Sequence, residues 1–298
     1  MRLGSFIALS FVLATLGCSN DDMAMSMDPL PPAHGFQIKS ASWTLNAGEE
    51  KYLCYTAKLN EPLDVAVTKF DAFTSPMVHH YEIFQALAPE QDGLWDCTEQ
   101  QIKMTWLPLF GGGVGATGLT LPDGAGFKLP QKAQLLVQIH LLNATPTAAE
   151  SNITVNLTYA DDASKITPTG IFALGSMQIN LQPGAMGIEV GSKCSLPHEL
   201  NVFAVQPHMH KMGTKIQFMQ GADEASASVV YKRDPWEFGA QPIDIFQKSL
   251  KKGDFVSMSC TFNNTTANAV SYGESTKDEM CYFVLFYTPF DRLGGCID

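Results

Sequence analysis

Apolar and polar residues alternate in short segments along most of the chain, and clusters of Gly, Pro, Asn and Asp separate these segments. The clearest segments are residues 63–68, 133–142, 153–159, 216–219 and 282–287. A two-residue period, rich in β-branched and aromatic side chains, predicts strands. From Phe36 onward almost no segment has the period of a long helix. The pattern therefore predicts an all-β protein built from β-sandwiches.

The beginning and the middle of the chain interrupt this pattern. Residues 1–17 combine Arg2 with an apolar run that is too short to span a bilayer, as in a signal peptide. Residues 18–36 have no periodicity and are expected to form a flexible tether. A polar break at residues 161–164 separates two strand-rich halves. We therefore predict an N-terminal domain over residues 37–162 and a C-terminal domain over residues 163–298.

The apolar run ends at a small residue followed by Cys18, which resembles a bacterial lipoprotein cleavage site. Lipidated Cys18 would hold the protein on a membrane by its end. The alternative is an ordinary secretory signal with an incidental cysteine. We expect an exported protein, either periplasmic or outer-membrane-anchored through Cys18, or secreted. Three methionines of the tether, Met23, Met25 and Met27, either bind Cu(I) or belong to a plain linker.

Composition narrows the class of partner. The chain has 298 residues, of which 45% are hydrophobic and 16% charged, and this suits two folded domains. Its formal net charge is −11, so the surface is unsuited to nucleic acid or to anionic lipid. The expected partner is a small-molecule substrate, with contact to a membrane only through a lipid anchor.

The cysteines indicate a disulfide framework. The sequence has seven of them. Six remain for the folded part when Cys18, the candidate lipidation site, is set aside. An even number in an exported chain favours three disulfides. Spacing alone leaves about fifteen pairings open, and no pair has the Cys-x-x-Cys spacing of a zinc or redox site.

Five histidines and one methionine in strand-like segments form two candidate metal groups. His208 and His210 are two residues apart, so on a strand both side chains leave the same face. His79 and His80 are adjacent, so they can bind one ion only at a bulge or a strand end. His140 closes an apolar run. Each residue also has an ordinary explanation, such as a solvated strand face or a hydrogen-bonded core histidine.

Met280 would complete the group of His208 and His210, while His140 would complete the group of His79 and His80. Imidazole suits copper, zinc or iron, whereas zinc rarely binds a thioether and Cu(I) accepts one. Met280 alone would be interpreted as core packing. The combination favours a redox protein with two copper sites.

Six motifs occur in an order that resembles one family. They are Tyr52-Leu53-Cys54, Val78-His79-His80, the turn at residues 121–127, Val137-Gln138-Ile139-His140, Phe203-Ala204 with His208-Met209-His210, and Asp278-Glu279-Met280-Cys281. Over roughly residues 37–298 the chain resembles the copper type II, ascorbate-dependent monooxygenases. The resemblance implies two tandem jelly-roll-like antiparallel β-sandwich domains that face each other across a cleft, with one copper ion in each.

The resemblance also implies roles for the candidate ligands. His79, His80 and His140 would hold an electron-transfer copper, and His208, His210 and Met280 would hold the copper where oxygen and substrate react. The implied activity is hydroxylation of a C–H bond of a small organic substrate with O2 and ascorbate. The disulfides implied by the family are Cys54–Cys97, Cys194–Cys296 and Cys260–Cys281.

Two departures from the family pattern affect the substrate. Where the peptide-hydroxylating branch has an arginine that holds the substrate carboxylate, this chain has Gln206. Where that branch has a substrate-contacting tyrosine, this chain has Val284. The sequence therefore gives no support for recognition of a peptide C-terminus. Residues 232–241, with Trp236 and Phe238, either line the cleft or pack on the surface.

Two other functions fit parts of the same pattern. A non-catalytic exported copper-binding lipoprotein, for storage or delivery, would use the methionines of the tether beside two copper sites. A zinc hydrolase would use only the three-histidine group and would be indifferent to Met280. The complete set of six candidate ligands favours the monooxygenase.

Overall fold

The computed structural model describes residues 29–100, 103–113 and 117–298. Within these ranges the regular structure is almost entirely β, and Pro31–Asp298 form one compact unit. The strands of the first half are β1 (Gly35–Lys39), β2 (Trp43–Leu45), β3 (Glu50–Lys58), β4 (Val65–Thr74), β5 (Val78–Ala86), β6 (Gly93–Asp96), β7 (Trp106–Gly113), β8 (Gly118–Thr120), β9 (Ala125–Leu129), β10 (Gln134–Leu142), β11 (Ala149–Ser151) and β12 (Ile153–Tyr159).

The second half follows a short 3-10 helix, Ala163–Lys165, which Asp162 caps by accepting a hydrogen bond from Ser164 N. Its strands are β13 (Thr167–Pro168), β14 (Gly170–Gly175), β15 (Asn180–Leu181), β16 (Ile188–Ser195), β17 (Leu200–Met209), β18 (Gly213–Gly221), β19 (Ser228–Arg233), β20 (Asp244–Leu250), β21 (Phe255–Phe262), β22 (Val270–Ser271), β23 (Cys281–Thr288) and β24 (Gly294–Ile297). Among the described residues no helix is long and apolar enough to cross a membrane.

The first half has two main sheets. One has the order β1-β12-β4-β9-β13, with β8 paired to β4, and the other has the order β6-β3-β10-β5-β7. The apolar positions of both sheets meet in a core where the rings of Phe70 and Phe110 stack at 5.0 Å. The alternation along β10 sends Leu135, Val137 and Ile139 into this core. His140 therefore points to the other face of the sheet.

The second half repeats this arrangement. A sheet of order β20-β17-β23-β14-β24 and a sheet of order β16-β21-β18-β19 enclose a second core. In that core the rings of Phe218 and Phe283 stack at 5.0 Å. All-β architecture with mostly antiparallel sheets is thus confirmed, and β12 has the bounds that the alternation predicts.

The two halves are in apolar contact. Phe203, Ala204 and Phe286, from the central strands β17 and β23, are buried in the same cluster as the core of the first half. The outer face of the β10 sheet also contacts the second half, because Tyr52 of β3 donates its hydroxyl hydrogen to Glu274 O, 2.7 Å away. The faces that carry the candidate histidines are therefore turned toward each other.

Three disulfides cross-link the fold. They join Cys54 with Cys97, Cys194 with Cys296 and Cys260 with Cys281, which are the pairs that the family resemblance implies. Disulfides persist in oxidising compartments, so they agree with an exported protein. The predictions about the signal peptide, Cys18 and the methionines of the tether concern residues outside the described ranges.

Both halves contain the same buried turn. Asn143 and Asn264 are each fully buried, and each side-chain amide donates to backbone carbonyls, including that of the residue four positions later. Each side-chain oxygen in turn accepts the hydroxyl of the threonine two residues later, Thr145 or Thr266, at 2.7 Å. These asparagines therefore satisfy turn backbone that would otherwise be buried without partners.

Candidate metal centre

A β-bulge brings the two adjacent histidines together. In the β10–β5 ladder His140 lies opposite His80 and Leu141 lies opposite Val78, so His79 is the extra residue. An extra residue breaks the two-residue alternation, so neighbouring side chains can point the same way. The ring centroids of His79 and His80 are 5.5 Å apart, and His140 lies 4.7 Å from His80. The bulge that the sequence requires is therefore present.

The nitrogens of these three rings converge. His80 Nδ1 is 3.3 Å from His79 Nδ1 and 3.4 Å from His140 Nδ1. One potential ligand atom from each ring can be chosen so that all lie within 4.8 Å of one another. Such a set matches the imidazole ligation that copper and zinc accept.

Glu50 fixes the orientation of His140. Its Oε1 accepts a hydrogen bond from His140 Nε2 at 2.9 Å, so the hydrogen is assigned to Nε2 and the lone pair of Nδ1 stays free for a metal. Tyr52 stacks flat on His140 with 4.3 Å between ring centroids. Burial raises the pKa of Glu50, but the hydrogen bonds from Thr276 N and His140 outweigh it, so the pKa is lowered overall and the carboxylate stays charged.

The second group is built on the end of β17. The rings of His208 and His210 are 5.3 Å apart and nearly perpendicular. His208 Nδ1 donates to Gln241 Oε1 at 2.8 Å, and His210 Nδ1 donates to Asp278 O at 2.9 Å. Because both Nδ1 atoms are occupied, both Nε2 atoms keep lone pairs. His210 Nε2 is buried without a hydrogen-bond partner, as expected for a ligand atom.

Met280 directly follows Asp278 and Glu279, which both accept hydrogen bonds from His210. The carboxylate of Glu279 accepts from His210 N at 3.0 Å and from Met212 N at 2.6 Å. In the β17–β23 ladder Met209 pairs with Cys281, so the next position sets Met280 beside His210. The side chain of Met280 is buried at 6% exposure. The register therefore places the backbone of Met280 next to His210.

The electrostatics keep the imidazoles neutral. Burial, reinforced by neighbouring histidines, lowers the pKa of His79 to about 4. Burial and the nearby His210 lower the pKa of His208 to about 3. Neutral imidazole is the form that binds metal, so both groups are ready to accept an ion at pH 7. The donor atoms present thus fit copper.

The two groups adjoin. The rings of His80 and His208 are 5.9 Å apart, and Phe238 stacks on His79 at 5.0 Å while it meets the edge of His210 at 6.3 Å. Phe238 therefore touches both groups from the segment 232–241, whereas Trp236 of that segment is buried in the second core. The cleft expected between the domains is closed at this point.

Beside the histidines lies an acidic corner at the junction of the halves. Glu82 follows His80 by two residues on β5, and Gln206 precedes His208 by two on β17. A Cβ on Gly111 would lie 3.5 Å from Glu82 Cγ and 3.8 Å from Gln206 Oε1, so both side chains lie within van der Waals reach of this glycine. Burial, with the charge of Glu274, raises the pKa of Glu82 to about 7.

Sequence reasoning missed the residues that orient the ligands. Gln241 and Glu50 lie far along the chain from the histidines that they hold, and neither is in a recognisable motif. Glu279 stands in the Asp278–Cys281 motif, which was the one available signal. The glycines at 111–113 form the end of β7 beside His80.

Comparisons with known proteins relate the second half of the chain to one family. Residues 167–298 match the family model described as copper type II ascorbate-dependent monooxygenase, C-terminal domain. Dopamine beta-hydroxylase of Canis lupus familiaris is 27% identical over 245 residues, which cover 74% of this chain and 39% of the relative. Tyramine beta-hydroxylase of Caenorhabditis briggsae is 22% identical over 277 residues, which cover 83% of this chain and 47% of the relative.

A third relative is the putative DBH-like monooxygenase protein 2 of Homo sapiens, 22% identical over 244 residues, with 74% of this chain and 48% of the relative covered. The chain spans about half or less of the length of these curated relatives. Among solved structures, the VP2 subviral particle of infectious bursal disease virus covers 87% of this chain and 74% of its own, at 8% identity. Its TM-score of 0.22 is too low to support an argument about the fold.

The fold and the two imidazole groups define a β-sandwich protein with the donor set of a copper centre. The second half of the chain is similar to the C-terminal domain of the copper type II ascorbate-dependent monooxygenases, and the relatives found are hydroxylases and monooxygenases at 22–27% identity. The family depends on copper and ascorbate, and the matched model covers the half that carries His208, His210 and Met280.

Proposed function

We propose that this protein is a copper-dependent monooxygenase with two copper ions per chain. His79, His80 and His140 hold one ion, and His208, His210 and Met280 hold the other. The observation that carries the proposal is the state of the ring nitrogens: outer partners occupy one nitrogen of His140, His208 and His210, and leave the other free.

Copper supplies one-electron redox chemistry and activation of O2 when bound, and ascorbate supplies the two electrons. In the overall reaction one oxygen atom enters a C–H bond of the substrate and the other leaves as water, while ascorbate becomes dehydroascorbate. The chain's own residues bind the metal ions and orient the ligand rings. Gln241 and the carbonyl of Asp278 hold the rings of His208 and His210, and Phe238 covers His79 and His210 against water.

The same geometry favours a cationic substrate. The relatives are named as hydroxylases of dopamine and tyramine, and both of these molecules are amines. Glu82 lies next to His80, and Glu274 lies close enough for its charge to raise the pKa of Glu82. Neither carboxyl forms an ion pair with a cation in the described part of the chain. An ammonium group bound here would neutralise them, because opposite charges favour the ionised form.

The sequence of residues 1–18 supports a proposal about location. We propose that the protein is exported and held at a membrane surface by lipid on Cys18, with the tether of residues 18–36 between anchor and fold. Radiolabelled fatty acid incorporation tests this, with Cys18→Ser as the control. No labelling of the wild type would leave an unanchored secreted protein, and equal labelling of the two proteins would place the lipid at another residue.

The experiment for the activity uses purified protein with its copper content measured. With ascorbate and 18O2, we expect copper-dependent incorporation of one 18O atom into arylalkylamines and none into N-acylglycines or peptides. His208→Ala should abolish it. Glu82→Gln should raise KM for the amine roughly tenfold or more, since hydrogen bonds to charged groups contribute about 1.5–3 kcal/mol.

Three outcomes would contradict the proposal. Copper binding without turnover on any substrate would favour storage or delivery. Activity with zinc that is indifferent to Met280→Ala would favour a hydrolase. Turnover of neutral or anionic substrates in preference to amines would leave the oxygenase intact and refute the cationic substrate.

A further inference from the structure

One carboxylate oxygen connects the two halves of the centre. Glu50 belongs to β3 of the first half, and its Oε1 accepts from His140 Nε2 at 2.9 Å. The same oxygen accepts from Thr276 N at 3.0 Å, and Ser275 Oγ lies at 3.5 Å. Thr276 and Ser275 belong to the second half. Glu50 thus contacts a ligand of one group and the segment that leads to Met280 of the other.

That segment, residues 271–280, is internally braced and is called the bracing loop below. Glu279 N donates to Ser271 O at 3.0 Å, Gly273 N donates to Glu279 O at 3.2 Å, and Asp278 N donates to Ser275 O at 2.9 Å. These bonds tie the tip of the loop to its end. A displacement at Thr276 is therefore transmitted to Asp278 and Glu279.

The end of the loop holds the second group. Asp278 O accepts from His210 Nδ1 at 2.9 Å, and Glu279 accepts from the backbone of His210 and Met212. A path of hydrogen bonds and short stretches of backbone therefore runs from His140 through Glu50 and the bracing loop to His210. Glu279 is only 1% exposed, so water is a poor substitute for its bonds.

We propose that Glu50 is a positioning residue for both metal groups: it orients His140 directly and it holds His210 and Met280 through the bracing loop. This inference rests on the proposed function for its consequence, a coupling between the two copper sites. It rests on the hydrogen-bond chain alone for its physical basis. By linkage, a change of binding at one group must then alter binding at the other by the same factor.

The matched control is the preceding residue. Glu49 is also partly buried, but its carboxylate accepts from Asn46 N and pairs with Lys51, with no contact to a histidine or to the bracing loop. Glu50→Ala and Glu49→Ala therefore remove the same group one position apart. Glu50→Gln keeps an acceptor and should retain part of the effect.

The first measurement needs no metal. Hydrogen exchange of the copper-free protein, followed by mass spectrometry or NMR, reports the amides of Thr276, His210 and Met212. In Glu50→Ala we expect exchange at Thr276 to accelerate tenfold or more, with a smaller acceleration at His210 and Met212. Glu49→Ala should leave all three unchanged. Acceleration confined to Thr276, or no change, would overturn the proposal whatever the protein binds.

The second measurement concerns copper. Chelator competition should show a 10–100-fold loss of affinity at the three-histidine group of Glu50→Ala, the usual effect of removing an outer partner. X-ray absorption of the reduced protein should also show a weaker copper–sulfur contribution from Met280. Loss at the first group alone would overturn the coupling. Wild type without two bound copper ions would refute the proposed function, while the exchange result would still decide the role of Glu50.

Discussion

The imidazole rings of His80 and His208 meet edge to face, with 5.9 Å between centroids, although they belong to opposite halves of the chain. The contact joins the bulge of β5 to the end of β17. Phe238 packs across the same junction on His79 and His210. The two groups of candidate ligands therefore form one continuous centre in this structure. The distance between metal ions bound to them can be tested by spectroscopy.

This contact predicts magnetic coupling between two bound Cu(II) ions. In the fully loaded wild type we expect the electron paramagnetic resonance signal to be broadened or diminished by spin–spin interaction. His140→Ala, which empties the first group, should restore an uncoupled type 2 signal with one copper ion per chain. Two independent type 2 signals in the loaded wild type would mean that the halves separate in solution.

Replacement of Gln241 is expected to lower the metal affinity of the second group, although all of its candidate ligands remain. Gln241→Ala removes the acceptor of His208 Nδ1–H, so the ring can turn or change tautomer. We expect copper affinity at the second group to fall roughly 10–100-fold. Gln241→Glu keeps an acceptor oxygen at the same place and should recover most of it. Equal affinities for both variants, measured by competition with a chelator, would contradict this role.

The raised pKa of Glu82 predicts that this residue lowers the stability of the copper-free protein by an amount that depends on pH. Because its native pKa is raised to about 7 from 4.5, the native state binds its proton more tightly than the unfolded state. Glu82 therefore costs no stability below pH 4.5, and the cost grows as pH rises toward 7. Replacement by neutral glutamine should stabilise the protein at pH 8 by at most roughly 3 kcal/mol and leave it unchanged at pH 4.

Thermal unfolding of the metal-free wild type and Glu82→Gln at pH 4, 6 and 8 would show whether the gain in stability grows with pH. Glu99→Gln, at an exposed position, is the control. A gain that is the same at every pH would show that the buried charge is not its cause. An ammonium ligand should reduce the difference at pH 8, because it stabilises the charged carboxylate of the wild type.

The buried hydrogen bonds of the Asn264 side chain are expected to contribute strongly to stability. Its amide donates to Leu181 O and Asn268 O, and Asn264→Ala leaves both carbonyls without this donor. We expect a loss of roughly 2–4 kcal/mol in the free energy of unfolding, as for buried polar groups left unpaired. The neighbouring Asn263 accepts only from Gly187 N at the surface, so Asn263→Ala should cost much less. Chemical denaturation distinguishes the two.

The strands could be predicted because alternation is a local property. β12 coincides with the predicted residues 153–159, and β23 extends the predicted 282–287 by one residue at each end. The pairing of His79 with His80 could not be settled in advance, because a bulge depends on the register of the partner strand. Alternation does not reveal which strand lies opposite.

The candidate ligands could be recognised by their residue types and their order, whereas their outer partners could not. Gln241 and Glu50 reach the histidines only through tertiary packing, and no local pattern marks them. Ligation of copper by the six residues stays a prediction. What the structure adds is the set of hydrogen bonds that occupies one ring nitrogen of His140, His208 and His210 and leaves the other free.

The twin turns of Asn143 and Asn264 have a consequence for production of the protein in a host that attaches sugars. Both asparagines start an Asn-x-Thr sequon, yet their amide hydrogens are consumed by backbone carbonyls in the folded chain. A glycan on either nitrogen would take up one of these donors and would have to fit in a fully buried site. Carbohydrate found there would mark molecules that never reached this fold.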